Sequence, residues 1–401
     1  MVRLYKVSFK VISPLIVSKR VGFRGFSYEV EKYIIHGSLV RGALLTKMLE
    51  KGEDPSVVNR LALSPDYAIT PFIATDKKGT LYLNTLLAHS LCFSTKKKIG
   101  GLKPVFSHSI ENLLTKLYVG RELEEVLASI FKENLAKQIN TSKTWLMPGE
   151  VKPCLGSPIV KKNDIWYIPS VETDVSIEVA LDHSRGSSVP AMLYAYEHVS
   201  EGTVYTGFIA VNDNSRLNTL LSEKEFTLSI GRGTSRGFGK VLAVAEEVRI
   251  EEFAHSLSEL LSQQISENDY VVLEIISPLF TVDPLPLPLK LGQKIPVPSL
   301  WLKKLGFSLN CKAELEVVSI LGGYTRYQGW SMRNKAPKLP IRGIAPGSLI
   351  ITRVSSVTGN LTEALPLLAF TGLDQYASQG FNIVLPLQKD FIQVKPWEVK
   401  L

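Results

Sequence analysis

Cysteine is scarce in this 401-residue chain: Cys92, Cys154 and Cys311 stand far apart, with no C-x-x-C pair. That spacing suggests neither a disulfide framework nor a cysteine zinc site, and it fits a reducing cytoplasm. Histidine is thin too, at six residues, and no metal or cofactor is expected. No apolar run reaches the roughly 18 residues of a membrane span, and the N-terminus lacks a signal-peptide pattern, so a cytoplasmic protein is expected. The most informative absence is of negative charge. Between Lys77 and Ile110 there is no acidic residue, while Lys77, Lys78, Lys96, Lys97, Lys98 and Lys103 fall inside. Between Val317 and Thr362 there is again none, against Arg326, Arg333, Lys335, Lys338, Arg342 and Arg353. Segregation of charge on this scale marks a surface that faces a polyanion.

The whole chain carries 46 Lys and Arg against 38 Asp and Glu, a net charge of +8 with a pI near 9.1. Hydrophobic residues make up 45%, enough for a folded protein, and the length calls for two domains rather than one core.

One stretch organises the rest: Gly231-Arg232-Gly233-Thr234-Ser235-Arg236-Gly237-Phe238-Gly239-Lys240. Its flanks, ending at Ile230 and beginning at Val241, both read as buried strands. A dinucleotide fingerprint needs G-x-G-x-x-G opening a helix, and a P-loop needs a Gly-Lys followed by Ser or Thr. Neither condition holds. What remains is either an ordinary glycine-rich turn or a backbone ridge whose N–H groups, with Arg232, Arg236 and Lys240, track phosphates.

Further along the chain, Leu4–Ile12 alternates as a half-buried strand. Ser18–Tyr28 reads either as a surface hairpin or as a flexible loop interleaving Lys19, Arg20 and Arg24 with Phe23, Phe26 and Tyr28, chemistry suited to stacked bases and paired phosphates. His36, Gly37 and Ser38 lead into a helix to about Leu49. Its start, with Gly37 and Ser38 as cap and Arg41 one turn in, is a candidate anion site. Ser107 to Asn140 is helical in pattern. Asp182, His183 and Arg185 lie close in sequence and are either turn chemistry or an acid–base group beside an anion clamp. Ala191–His198 and Thr203–Val211 form an expected hairpin turned at Glu201-Gly202. A helix over Glu251–Leu261 precedes a polar boundary at Ser262–Asp269.

Beyond that boundary the chain repeats itself. Val7–Leu15 matches Val271–Leu279, with Ile-Ser-Pro-Leu identical in both, and Ser378-Gln-Gly-Phe381 echoes Ser235-Arg-Gly-Phe238. The echo lacks the two arginines, so the two loops are expected to be used unequally. A second aromatic–cationic stretch follows at Tyr324–Lys335, where Tyr324, Tyr327 and Trp330 alternate with Arg326, Arg333 and Lys335.

Four segments together (Ile34–Leu44, Ala180–Gly207, Gly231–Val241 and Gly322–Ser348) resemble the RAMP superfamily of CRISPR effector subunits. The Leu-Asp-x-x-Arg-Gly, Met-Leu-Tyr-x-Tyr-Glu and Gly-Thr-Val-Tyr-x-Gly runs look most like the large two-domain RAMP subunit of type III-D complexes. The resemblance implies an α+β fold of two ferredoxin-like, RNA-recognition-like domains with insertions. Residues 1–265 would form the first, with a helical insertion and the glycine-rich loop, and 266–401 the second, with a degenerate loop. It implies a non-catalytic subunit that holds the 5′ repeat-derived tag of a crRNA, beside other RAMP backbone subunits and the large signalling subunit, and meets target RNA indirectly. Two alternatives stand beside it: a metal-independent endoribonuclease using His36, Ser38 and Arg41, or mainly an assembly scaffold. The sequence departs from the family where His36 replaces a frequent proline and where the second loop has lost its cations. The RNA-binding residues expected are Lys19, Arg20, Phe23, Arg24, His36, Gly37, Ser38, Arg41, Arg185, the 231–240 loop, Arg326, Trp330, Arg333 and Lys335.

Overall fold

The computed structural model describes residues 1–21, 27–75, 86–95, 103–107, 110–118, 125, 151–162, 165–182, 187–262, 264–281, 287–297, 300–331 and 336–389. The N-terminal part supplies β1 (Val2–Val11), α1 (Gly37–Glu50), α2 (Pro55–Leu63), β2 (Tyr67–Ile69) and β3 (Phe72–Thr75). It continues with β4 (Thr173–Asp182), β5 (Ser187–Val199), β6 (Val204–Asn212), α3 (Leu217–Leu221), β7 (Glu225–Ser229), β8 (Lys240–Val248) and α4 (Ile250–Ser258). The C-terminal part supplies β9 (Tyr270–Ile275), β10 (Lys294–Val297), α5 (Leu300–Leu305), β11 (Lys312–Leu321), β12 (Tyr324–Tyr327), β13 (Ile341–Ile344), β14 (Leu349–Thr358) and β15 (Val384–Leu387). The fold is mixed α/β and rich in sheet.

Two antiparallel sheets frame the molecule. The first runs β7-β8-β1-β6-β3 with Ile34–Ile35 at its edge, and β2 also pairs with β6. The second runs β10-β11-β14-β9-β15. The period of two in β1 sends Tyr5, Val7, Phe9 and Val11 to a core shared with Val40, Leu44 and Met48 of α1, as alternation in a sheet buried on both sides requires. Leu4, on the other face, joins Ala68 and Ala210 in a core that also takes Val272, Leu349, Ile351, Leu385 and Leu387 from the second sheet. The two sheets are therefore joined through common packing, and Ala88, Cys92, Val105, Ile110, Cys154 and Trp166 of the intervening segment enter the same core.

Three expectations need correction. Ala191–His198 and Thr203–Val211 do not pair as a hairpin. β5 pairs with β4, from Thr173 opposite Val199 to Asp182 opposite Ser187, while β6 lies between β1 and β3 in the other sheet. β6 is covered on both faces and lies inside the sheet, with β1 along one edge and β2 and β3 along the other. At Ser18–Tyr28 the hairpin reading replaces the flexible loop: Ser18–Val21 pairs with Ser27–Val30, which runs parallel to β5. The expected helical insertion is helical at Ile110–Tyr118, with Ile110, Leu113, Leu114 and Leu117 buried as expected, but among the described residues it also carries a six-stranded sheet built from strands between 86 and 107 and between 151 and 168. Most of the expected helical stretch up to Asn140 lies outside the described residues.

Candidate nucleic-acid interface

The glycine stretch is the connection of a hairpin: β7 and β8 pair from Glu225 opposite Val244 to Ser229 opposite Lys240. All four glycines adopt positive φ, at 88° for Gly231, 73° for Gly233, 90° for Gly237 and 74° for Gly239. At Gly231 and Gly239 the requirement is double, because a Cβ would strike the carbonyl oxygens of Ile16 and Ile230. Thr234–Arg236 form one 3-10 turn between left-handed glycines. Thr234, Ser235, Arg236 and Gly237 are exposed and Phe238 is half-buried. The result is a rigid, projecting ridge tied down at its base.

Its cations are unequally placed. Arg236 forms an ion pair with Glu178 of β4, and its guanidinium lies 5.0 Å from the ring centroid of Tyr196 and 6.0 Å from that of Phe238. Arg232 is exposed, and its backbone N–H donates to Ile16 O at 3.0 Å. Lys240 is exposed at the first position of β8, beside Lys47 of α1 along a small groove.

The second loop has the same construction. Phe238 N donates to Gly233 O at 3.2 Å, and Phe381 N to Tyr376 O at 3.1 Å. Gly239 N donates to Pro14 O at 2.9 Å, and Asn382 N to Pro278 O at 3.2 Å. Lys240 N donates to the hydroxyl of Ser13 at 2.9 Å, and Ile383 N to that of Ser277 at 2.9 Å. Gly380 and Asn382 repeat the positive φ of Gly237 and Gly239, at 75° and 57°. The loops correspond without a gap, so Arg232, Arg236 and Lys240 are matched by Gln375, Gln379 and Ile383. Burial separates them: Ala377, Ser378 and Phe381 are 0%, 1% and 2% exposed, whereas the first loop projects.

The second loop is buried because it closes the start of α1. Gly37 lies against Gly380, leaving no room for a Cβ on either. The N-cap is His36, without a side-chain capping bond, and not Gly37 or Ser38 as expected. Ser38 instead hydrogen-bonds the Tyr327 hydroxyl, whose ring meets His36 at 5.2 Å and Phe381 at 4.9 Å. Burial raises the Tyr327 phenol above its ordinary value, with the Ser38 bond opposing. Arg41 points inward, donating from Nε to the Tyr67 hydroxyl at 3.1 Å and from its fork to Ala62 O. It braces α1 against α2 and β2.

Arg326 is exposed on β12. Of Lys19, Arg20 and Trp330 the backbone alone is described, each within a short strand. Phe23, Arg24, His183, Arg185, Arg333 and Lys335 lie outside the described residues. Sequence reasoning named Tyr327 only as a ring among cations, left Arg342 without a role, and missed Glu178 and Tyr196 as partners of Arg236. The acid-free run was the one signal that included Arg342.

A model of the RAMP superfamily matches residues 8–242, and the chain belongs to that superfamily. No curated protein matches it. Among solved structures, a chain of a type III-B Cmr-beta complex bound to cognate target RNA is 12% identical over 86% of each chain, with a TM-score of 0.42. A chain of the Csm3-Csm4 subcomplex of a type III-A CRISPR-Cas interference complex is 12% identical over 96% of this chain and 99% of that one, with a TM-score of 0.37. Cmr4 from Pyrococcus furiosus is 12% identical over 62% of this chain and 99% of its own, with a TM-score of 0.26.

Proposed function

We propose that this chain is a non-catalytic crRNA-binding subunit of a type III CRISPR effector complex, of the III-D-like kind. It holds the 5′ repeat-derived tag, next to other RAMP subunits and the large signalling subunit. The observation that carries this reading is the divergence of two equivalent loops. One projects and keeps Arg232, Arg236 and Lys240; the other is buried at Ala377, Ser378, Gly380 and Phe381 and carries the uncharged Gln375, Gln379 and Ile383 in their places, with Gln375 exposed and Gln379 half-buried. A projecting ridge of left-handed glycines brings backbone N–H groups and cations to a phosphate chain with few side chains in the way. The Arg236–Glu178 pair, with Arg236 exposed and Glu178 half-buried, is weak enough for a phosphate to replace the carboxylate.

The same reading takes residues 1–265 and 266–401 as two ferredoxin-like units, supported by the strand orders. β8-β1-β6-β3 and β15-β9-β14-β11 each follow the order fourth-first-third-second, with helices between the first and second strands. Purification from the native host, with sequencing of bound RNA, tests the function. Guide RNAs sharing one repeat-derived 5′ end support it, and a complex assembled without RNA overturns it in favour of a scaffold.

One arrangement favours a second reading. His36, Ser38 and Tyr327 meet at the start of α1, and Lys338, an exposed residue, has its pKa lowered by partial desolvation and by the charge of Arg41. Such groups suit acid–base cleavage of RNA. Repeat RNA incubated with the protein in EDTA decides it: specific cleavage lost in His36→Ala establishes a ribonuclease.

A further inference from the structure

The ribbon of β12 and β13 sets two arginines against each other. Arg326 lies directly opposite Arg342 in register, and both are exposed. Antiparallel partners hold their Cβ atoms roughly 5 Å apart, and like charges in that relation repel. The neighbouring sheet solves the same problem in the ordinary way: Arg353 of β14 opposes Glu316 of β11 and bonds it at 2.7 Å. Arg3, Arg236 and Arg249 also contact carboxylates. Among the described residues Arg326 and Arg342 make no ion pair, and the sequence around them is free of acid from Val317 to Thr362.

Two further features make this pair a built surface. Tyr324, two residues before Arg326 on the same strand and therefore on the same face, is 71% exposed. The ribbon beneath is held firmly. Ile344 and Leu279 exchange backbone hydrogen bonds at 2.7 and 3.1 Å, and Ala345 N donates to Gly323 O at 2.8 Å. Gly343 lies flat on Leu279, where a Cβ would come within 2.7 Å of its carbonyl oxygen. Tyr327 anchors the ribbon to His36 and Phe381.

We propose that Tyr324, Arg326 and Arg342 form a second seat for single-stranded RNA. The two guanidinium groups straddle the phosphate backbone, and the Tyr324 ring stacks on an unpaired base. The proposal rests on the reading of this chain as an RNA-binding subunit. A polyanion turns the Arg–Arg repulsion into attraction, and the planar forks of arginine match phosphate oxygens. An exposed ring requires a base free of pairing, which selects single strands over duplex.

The test uses the full chain with a labelled oligouridine RNA of about 20 nucleotides, a length that spans more than one contact site. Arg326→Gln with Arg342→Gln should bind roughly tenfold more weakly and lower the salt slope by about 2. Tyr324→Ala should weaken binding by a similar factor with the salt slope unchanged, because stacking releases no counterions. Arg342→Glu should raise the unfolding temperature, by pairing with Arg326, while it weakens RNA binding. Opposite signs in one variant separate a ligand role from a structural one. If the wild type binds RNA and these variants bind equally well, the ribbon proposal is overturned and the RNA-binding reading stands. If the wild type binds no RNA, both fall. If the variants keep RNA but lose a co-purifying protein, the ribbon is a protein interface and the proposal is overturned.

Discussion

Gly37 and Gly380 touch backbone to backbone: a Cβ added to Gly37 would lie 2.5 Å from the Cα of Gly380. This contact ties the first helix of the N-terminal part to the second glycine loop. Gly380 also carries a φ of 75°, so a side chain there meets both strain and collision. Gly380→Ala should cost about 2–4 kcal/mol of stability in urea unfolding. Gly237, its counterpart, has a φ of 90° but open space around it. Gly237→Ala should cost only about 1 kcal/mol. Equal losses at the two positions would contradict the burial difference between the loops.

The exposed loop makes the converse prediction about binding. Arg232→Ala with Arg236→Ala should weaken binding of a tag-bearing RNA by roughly tenfold or more and lower the salt slope by about 2. Stability should change by less than about 1 kcal/mol, since Arg236 is exposed and Glu178 only half-buried. Filter binding across a salt series measures the first and thermal unfolding the second. An unchanged salt slope would remove the loop from the interface.

Cys92, Cys154 and Cys311 are all buried. Burial pushes the Cys154 thiol up to about 12 and raises Cys311 as well. Because the thiolate is the reactive form, a disulfide dye at pH 8 should react slowly with native protein and rapidly once denaturant is added. Fast labelling of Cys154 in the native state would mean that the shared core opens readily.

The loops were legible in sequence because both their requirements are local. Left-handed positions select glycine, and the Ser-x-Gly-Phe echo keeps register with the Ile-Ser-Pro-Leu repeat, since Ser13 and Ser277 accept from equivalent N–H groups. The strand partners of β5 and β6 were not legible. Ala191–Tyr196 and Gly207–Val211 are near-continuous apolar runs, and a run of that kind does not say which strand lies beside it. Arg41 misled for a related reason: an arginine one turn into a helix looks the same whether it faces solvent or, as here, Tyr67 and Ala62. The Arg326–Arg342 opposition is a matter of register, and 15 residues of intervening chain hide it.

Glu274 gives the sharpest test of the shared core. It is 0% exposed in β9, opposite Leu349 and Leu385, and neither carboxyl oxygen has a hydrogen-bond partner among the described residues. Burial raises its pKa well above the ordinary value. An unfolded glutamate titrates near 4.3. Between that value and the higher folded one, the native state keeps a proton that the unfolded state has released. Stability therefore falls as pH rises through this window, by about 1.4 kcal/mol per pH unit. Glu274→Leu removes both the proton and the unpaired oxygens, so it should stabilise the protein, and by more at pH 7 than at pH 5. Thermal unfolding of the two proteins at both pH values measures the difference. A gap that does not widen with pH would mean that Glu274 is solvated or paired, and that the two sheets do not meet across a dry core at this point.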